Sequence, residues 1–354
     1  MAVHFSRERM QEVLDTYEAW WDRRLERPLV PCTLWGAHPV EHRTQAPHLD
    51  QDTCADLCWS AEQLVDKMDE ELSECEWLGD GYPMVRFDTF GPGVLAAFCG
   101  GVLDNSSGRV WFRAAERKPI DKIHCVYDPE SRFAMRIKDI YRAGLDRWEG
   151  SVLMGIPDLG GVLDVAATLV GTEELLLDLY DEPDEVKRLI GEIETAWYAA
   201  FDDFAEVLKP QNGFTNWSGI ASRKPGYIVQ CDFCYMLSNA MFREFVLPTI
   251  RRDTGRLDRV IYHLDGVGQL QNLDDLLSIP GLAAIQWEPG AGKPTGMHWI
   301  DVYRRIEAAG RNAWLTAPLW QNLEVLDTLH HTPYFGIGFH ASRRAEAERI
   351  LALR

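Results

Sequence analysis

The chain has no apolar run of 18 residues, so nothing in it reads as a membrane-spanning helix. An early basic-then-apolar segment is missing too. Met1 to Glu18 instead carries Arg7, Glu8, Arg9, Glu12 and Asp15 in a helical pattern, and a cytoplasmic location is the expectation. Ser/Gly-rich linkers, low-complexity tracts and long charge blocks are absent, which favours one domain over 1–354 with 1–28 as an N-terminal helical extension. Cysteine is sparse: eight residues spread from Cys32 to Cys234 are too few for a disulfide scaffold in a chain this long, and reduced thiols are expected. Positive charge is in deficit. The 36 Lys and Arg against 55 Asp and Glu leave a net −19, which argues against nucleic acid and anionic membranes as partners, because both are polyanions.

Apolar and aromatic residues are plentiful. At 46% apolar, with 13 Trp, 14 Phe and 11 Tyr, the chain can build a large core with deep pockets or broad interfaces, and a homodimer is left open. Residues 5–25 read as a helix through Met10, Val13, Leu14, Tyr17, Trp20 and Trp21, and 60–75 and 131–148 as further helices. After Pro183, which suits a first helical turn, Leu189, Ile190, Ile193, Trp197, Phe201, Phe204 and Leu208 form one apolar stripe that should pack on a sheet.

In the last hundred residues, strand-length apolar runs alternate with helical patterns. Val260-Ile261-Tyr262 ends at His263, Ala283-Ala284-Ile285 at Gln286-Trp287-Glu288, Ala313-Trp314-Leu315 at Thr316, and Gly336-Ile337-Gly338-Phe339 at His340. Alternation of this kind implies a parallel sheet. Candidate strands near 30, 110, 153, 214, 229, 260, 284, 313 and 337 approach the count of a (β/α)₈, TIM-like barrel. In such a barrel the strand C-termini share one mouth, where His263, Trp287, Glu288 and His340 should meet.

Several ordered strings resemble the uroporphyrinogen decarboxylase superfamily, which also contains zinc-dependent, corrinoid-linked methyltransferases. They are Gly171-Thr172-Glu173-Glu174-Leu175 running on to Tyr180-Asp181-Glu182-Pro183, then Phe242-Arg243-Glu244-Phe245-Val246-Leu247-Pro248, and His263-Leu264-Asp265-Gly266. The resemblance runs from about residue 150 to 354 and implies the barrel fold. Two departures bear on function. The arginine-rich loop that follows the first strand in true decarboxylases is replaced by Leu34-Trp35-Gly36-Ala37-His38-Pro39, so uroporphyrinogen is not the expected substrate. Where the methyltransferases show His-x-Cys and a late Cys, this chain has His263-x-Asp265 and His340.

His263, Asp265 and His340 are therefore the expected metal ligands, a set that suits zinc and other divalent ions. The alternative is that His263 hydrogen-bonds across the mouth and Asp265 caps the next turn. Asp232 is expected as a further ligand, a general base or a helix N-cap, and Glu288 shares the proton-handling role. Trp35, Tyr82, Trp217 and Trp287 should form an aromatic substrate wall, with Asp158 as a polar member. Arg86, Arg223 and Arg343 are candidates for a substrate carboxylate, and Cys231-x-x-Cys234 reads as buried structural thiols.

The resemblance implies a metal-dependent methyltransferase acting on a small methylated compound, with cobalamin carried by a separate corrinoid protein. A metal-free decarboxylase of a small carboxylic acid and a non-catalytic ligand-binding barrel are the alternatives.

Overall fold

A computed structural model describes residues 3–41 and 43–352; the ends of the expected 1–354 domain, 1–2 and 353–354, lie outside it. The architecture is mixed α/β. Its strands are β1 (Pro31–Leu34), β2 (Glu76–Gly79), β3 (Met84–Val85), β4 (Val102–Asp104), β5 (Trp111–Arg113), β6 (Leu153–Met154), β7 (Gly226–Gln230), β8 (Arg259–Asp265), β9 (Leu282–Glu288), β10 (Asn312–Leu315), β11 (Phe335–Ile337) and β12 (Phe339–Ala341).

Strands β7, β8, β9, β10 and β11 form one parallel sheet in sequence order, with helical segments between successive strands. That matches the alternation read from the last hundred residues. The sheet continues beyond β11, because Leu29 bridges Gly336 in parallel and β1 pairs β12 in parallel and β2 antiparallel. Gly336 has to be glycine, since a Cβ there would sit 2.6 Å from the Trp314 indole. A separate parallel pair joins β3 to β6, and Ile156 N–H donates to the Thr215 carbonyl beyond it.

Two expected strands differ from the sequence reading. The segment near 110 pairs only with β4, as an antiparallel hairpin that leaves Trp111 exposed, and the segment near 214 makes a single bridge from Phe214 to Ser222. Both are short apolar runs, for which alternation alone cannot say which partner strand is in reach.

The sheet separates two apolar layers. Tyr227, Val260, Tyr262, Leu264, Ile285, Trp287 and Leu315 point to the helices, whereas Ile228, Ile261, Ala284 and Trp314 point to the opposite face. Period-2 alternation dictates this split.

That second face is sealed by α1 (Arg7–Trp21), whose N-cap Ser6 accepts from Arg9 N–H. Met10, Val13, Leu14, Tyr17, Trp20 and Trp21 are buried from it into one cluster with Ile228, Ile261, Ala284 and Trp314. Each such side chain contributes about 1.5–3 kcal/mol of apolar burial. Polar contacts set the register: Asn312 Nδ2 donates to the Trp20 carbonyl at 2.8 Å, and Arg259, the first residue of β8, donates to Glu18 and to Asp22. The expected extension is thus a floor under the sheet. None of the described helices is long and apolar enough to cross a membrane, and all eight cysteines are free.

Candidate metal centre and cavity

On β8 the residues that alternate away from the helices are Ile261, His263 and Asp265. Register places Gln230, His263 and Gln286 side by side on β7, β8 and β9, and Asp265 beside Glu288 one step further along. Ionisable residues thus gather on the side where these strands end. The turn after β8 needs Gly266, whose φ is 87° and whose Cβ would meet the Tyr235 ring at 2.6 Å.

His263 Nδ1 lies 2.6 Å from Gln286 Oε1. An amide oxygen only accepts, so Nδ1 carries the proton and Nε2 keeps its lone pair for a cation. The Trp217 ring stands edge-on to the imidazole, with centroids 5.1 Å apart. Ligand atoms of Asp232, His263 and Asp265 all lie within 4.8 Å of one another. An ion with bonds of about 2.1 Å wants them roughly 3.4 Å apart, so shifts of under about 1 Å per side chain would close the set.

Asp232 does not cap its turn. Asp164 does so from another helix, accepting from the backbone N–H groups of Asp232 at 3.1 Å and Phe233 at 2.8 Å. The Asp232 carboxylate is left pointing into the cluster. Although its side chain is exposed, desolvation by the surrounding mouth and then the Asp265 charge raise its pKa to about 6. Burial, then Asp232, raises Asp164 to about 7. Asp158, buried and accepting from Gly160 N–H, is raised to about 8, first by burial and then by Asp232, Asp88 and Asp164. Among the described residues Asp158, Asp164, Asp232 and Asp265 make no salt bridge, and such a gathering of carboxyl groups is a setting that a divalent ion would relieve.

Beside the cluster is a cavity of about 710 Å³, lined by Trp35, Tyr82, Trp217, Gln286, Glu288, Thr316 and His340, with Tyr17 of α1 among its lining residues. A smaller recess of about 210 Å³ touches Asp232 and Asp265 together with Tyr235 and Lys293. Trp217 and Gln286 link the large cavity to His263, since each touches that imidazole and lines the cavity. Tyr82 is held by Thr215 Oγ1 at 2.8 Å and donates to the Gly219 carbonyl at 3.0 Å. Among the described residues the lining has one arginine, Arg86, and two histidines, His48 and His340.

Three expected site residues sit elsewhere than the sequence reading put them. His340 is not part of the three-residue cluster; Asp232 is. His340 stands on β12 beside Thr33 as an exposed residue, accepts at Nδ1 from Trp35 Nε1 at 3.1 Å, and is held toward its neutral form by partial desolvation at the cavity wall and then by Arg86. Trp287 is fully buried on the helix side, its ring 5.2 Å from Trp299, because it is one residue out of phase with Gln286 and Glu288. Asp158 is buried behind the mouth and is not among the cavity's lining residues. Arg223 belongs to the floor, where it holds Asp15 and Gln11 of α1. Cys231 and Cys234 are buried, with thiol pKa values raised first by burial.

Sequence reasoning did not find Gln286 or Asp164. Gln286 was legible in principle as the residue beside His263 on the next strand, whereas Asp164 is 68 residues from Asp232 and only folding joins them.

No protein-family model matches the chain, and no curated protein matches its sequence. Among solved structures, the chain is similar to a methyltransferase from Methanosarcina mazei, with a TM-score of 0.59 and 9% sequence identity over 99% of this chain and 97% of that one. The two share a mixed α/β fold along nearly their whole lengths.

Proposed function

We propose that this protein is a metal-dependent methyltransferase of the uroporphyrinogen decarboxylase superfamily, built as a single (β/α)₈ barrel over 1–354. The observation that carries the reading is the convergence of Asp232, His263 and Asp265 within 4.8 Å at the strand ends, beside a large cavity. The whole-length likeness to a solved methyltransferase supports it. The barrel reading rests on the parallel ladder from β7 to β11, its continuation through Leu29 to β1, and the parallel β3–β6 pair.

One imidazole and two carboxylates form a donor set that suits zinc as well as manganese or ferrous iron. A metal there would supply Lewis-acid polarisation of the oxygen, nitrogen or sulfur that carries the methyl group. The residues around it do the remaining work. Gln286 orients His263, and Asp164 aims Asp232 by holding its turn. Glu288, beside Asp265 and in the cavity wall, is placed to hold or release a proton on the substrate heteroatom. Trp35, Tyr82 and Trp217 enclose the substrate, and His340 with Trp35 forms part of the opposite wall.

The methyl carrier in this reading is a corrinoid on a separate protein, and docking would use the mouth. Exposed Trp35, Tyr235, Met236 and Trp320 follow β1, β7 and β10 on that face and offer an apolar rim. With Arg86 the one arginine among the described lining residues, the many carboxylates of uroporphyrinogen would lack partners.

Metal analysis of protein purified without added zinc tests the reading. About one divalent ion per chain, lost in His263→Ala, is expected; a metal-free wild type that also fails to take up added zinc would overturn it.

A further inference from the structure

We infer that the large cavity takes a flat methylated monocarboxylate about one aromatic ring long, its carboxylate on Arg86 and its methyl-bearing atom toward His263. The inference rests on the methyl-transfer reading above and adds the chemical class of the substrate.

Arg86 is the one Lys or Arg among the described lining residues. Its guanidinium donates through one Nη to the Trp217 carbonyl, and its Nε lies 3.9 Å from Asp88, too far for a strong bond. A guanidinium has five N–H donors, so most of the fork is free for an anion. His340 adds another donor. Its Nδ1 accepts the Trp35 indole N–H, which puts its own proton on Nε2.

Trp217 gives the length. Its backbone carbonyl holds Arg86 and its ring meets His263, so the anion anchor and the metal ligand stand at the two ends of one residue. With covalent bonds near 1.5 Å, that separation is on the order of 10 Å, enough for one ring with substituents at opposite ends. Trp35, Tyr82, Trp314 and Phe339 also line the space, which favours a flat body.

The other ligand classes fit less well. Glu71 is already engaged by His48 at 2.9 Å and Lys67 at 3.3 Å, and Asp88 faces Arg86. Glu288 stands at the metal end beside Asp265. Near Arg86 the described lining offers Asp88 alone, and the guanidinium 3.9 Å away already opposes its charge, which leaves a cationic ligand a repelling neighbour. The Trp217 indole N–H and the Thr89 hydroxyl are buried without partners in two lining residues, and a quaternary ammonium ion could accept from neither. A polyanion would have one arginine for several charges.

Calorimetric titration of the full chain with 4-methoxybenzoate, benzoate, anisole and tetramethylammonium tests the class without needing metal or a corrinoid protein. Both carboxylates should bind, with anisole at least about 10-fold weaker, in line with the loss of a charge-assisted hydrogen bond. Arg86→Gln should weaken both carboxylates by about 10-fold or more and leave anisole unchanged, and Arg86→Lys should fall between. Unchanged carboxylate affinity in a folded Arg86→Gln protein would overturn the inference, as would tetramethylammonium or anisole binding at least as tightly as 4-methoxybenzoate. His263→Ala separates the two readings. If Arg86-dependent carboxylate binding persists while no variant binds metal or transfers a methyl group, the substrate class stands and the methyltransferase reading falls.

Discussion

The two ends of β8 show what each side of the sheet is for. At its start Arg259 is closed off by Glu18 of α1 and by Asp22, which caps that helix, and Glu18 also accepts from Arg223 N–H at 2.8 Å. At its end His263 and Asp265 face Asp232, and neither aspartate has a salt-bridge partner among the described residues. The floor pairs its charges and buries two tryptophans, whereas the mouth gathers carboxylates of raised pKa around one imidazole. Seven residues of one strand therefore run from an arginine paired with two carboxylates to carboxylates that make no salt bridge among the described residues. Gathered carboxylates without a counter-charge oppose folding, and their natural use is to hold something that is not part of the chain.

Trp20→Ala is the sharpest way to break the floor. Truncating a fully buried tryptophan should lower stability by about 3–5 kcal/mol in urea unfolding, while metal uptake per folded molecule stays the same. Loss of metal binding in molecules that remain folded would show that floor and mouth are not separate. His263→Ala attacks the other end: bound metal should drop more than about 100-fold, beyond what outer-sphere changes do, while metal-free stability moves by only about 0.5 kcal/mol. A large drop in metal-free stability would make His263 a structural residue.

Gln286→Ala is milder. It leaves every ligand in place but frees the His263 ring, so metal affinity should fall by about 10-fold with little change in the melt. Unchanged affinity would mean that the 2.6 Å contact does not orient the ring.

The smallest effect is in pH. Asp158, with a folded pKa of about 8 against an ordinary carboxylate value near 4, binds a proton in the folded state that the unfolded chain has already released. Stability should therefore fall as pH rises from about 4 to about 8, because in that window the folded state holds more protons. Asp253, raised to about 7 mainly by burial in a helix far along the chain from the mouth, adds to the same slope. Thermal melts of Asp158→Asn should show a flatter dependence than wild type. An unchanged slope in that variant would remove the mouth carboxyls from the pH response.

The sheet from β7 to β11 was readable because each strand is an apolar run followed by a helical pattern, and local periodicity survives folding. His263, Asp265 and Asp232 were readable because they end or follow such strands. His340 was also at a strand end, but its distance from the cluster depends on which strands lie between them, which no local pattern encodes. Trp287 shows a different failure. A one-residue shift in alternation sends a side chain to the opposite face, and the reading grouped three adjacent residues, Gln286, Trp287 and Glu288, although only two of them can face the cavity.

By itself the sequence determined the order of strands and helices from β7 to β11, the amphipathic faces of its helices, the acidic balance and the residue types available at the strand ends, since these follow from composition and from periods of 2 and 3.6 residues. Only the tertiary structure decided that α1 becomes a floor, that Asp164 turns Asp232 toward His263, that Gln286 sets the imidazole, and that Arg86 and His263 stand at opposite ends of Trp217. Each of these joins residues about 20 to 290 positions apart. Such contacts are settled by which surfaces must leave water together, a property of the whole packed chain that is written in no single stretch of it.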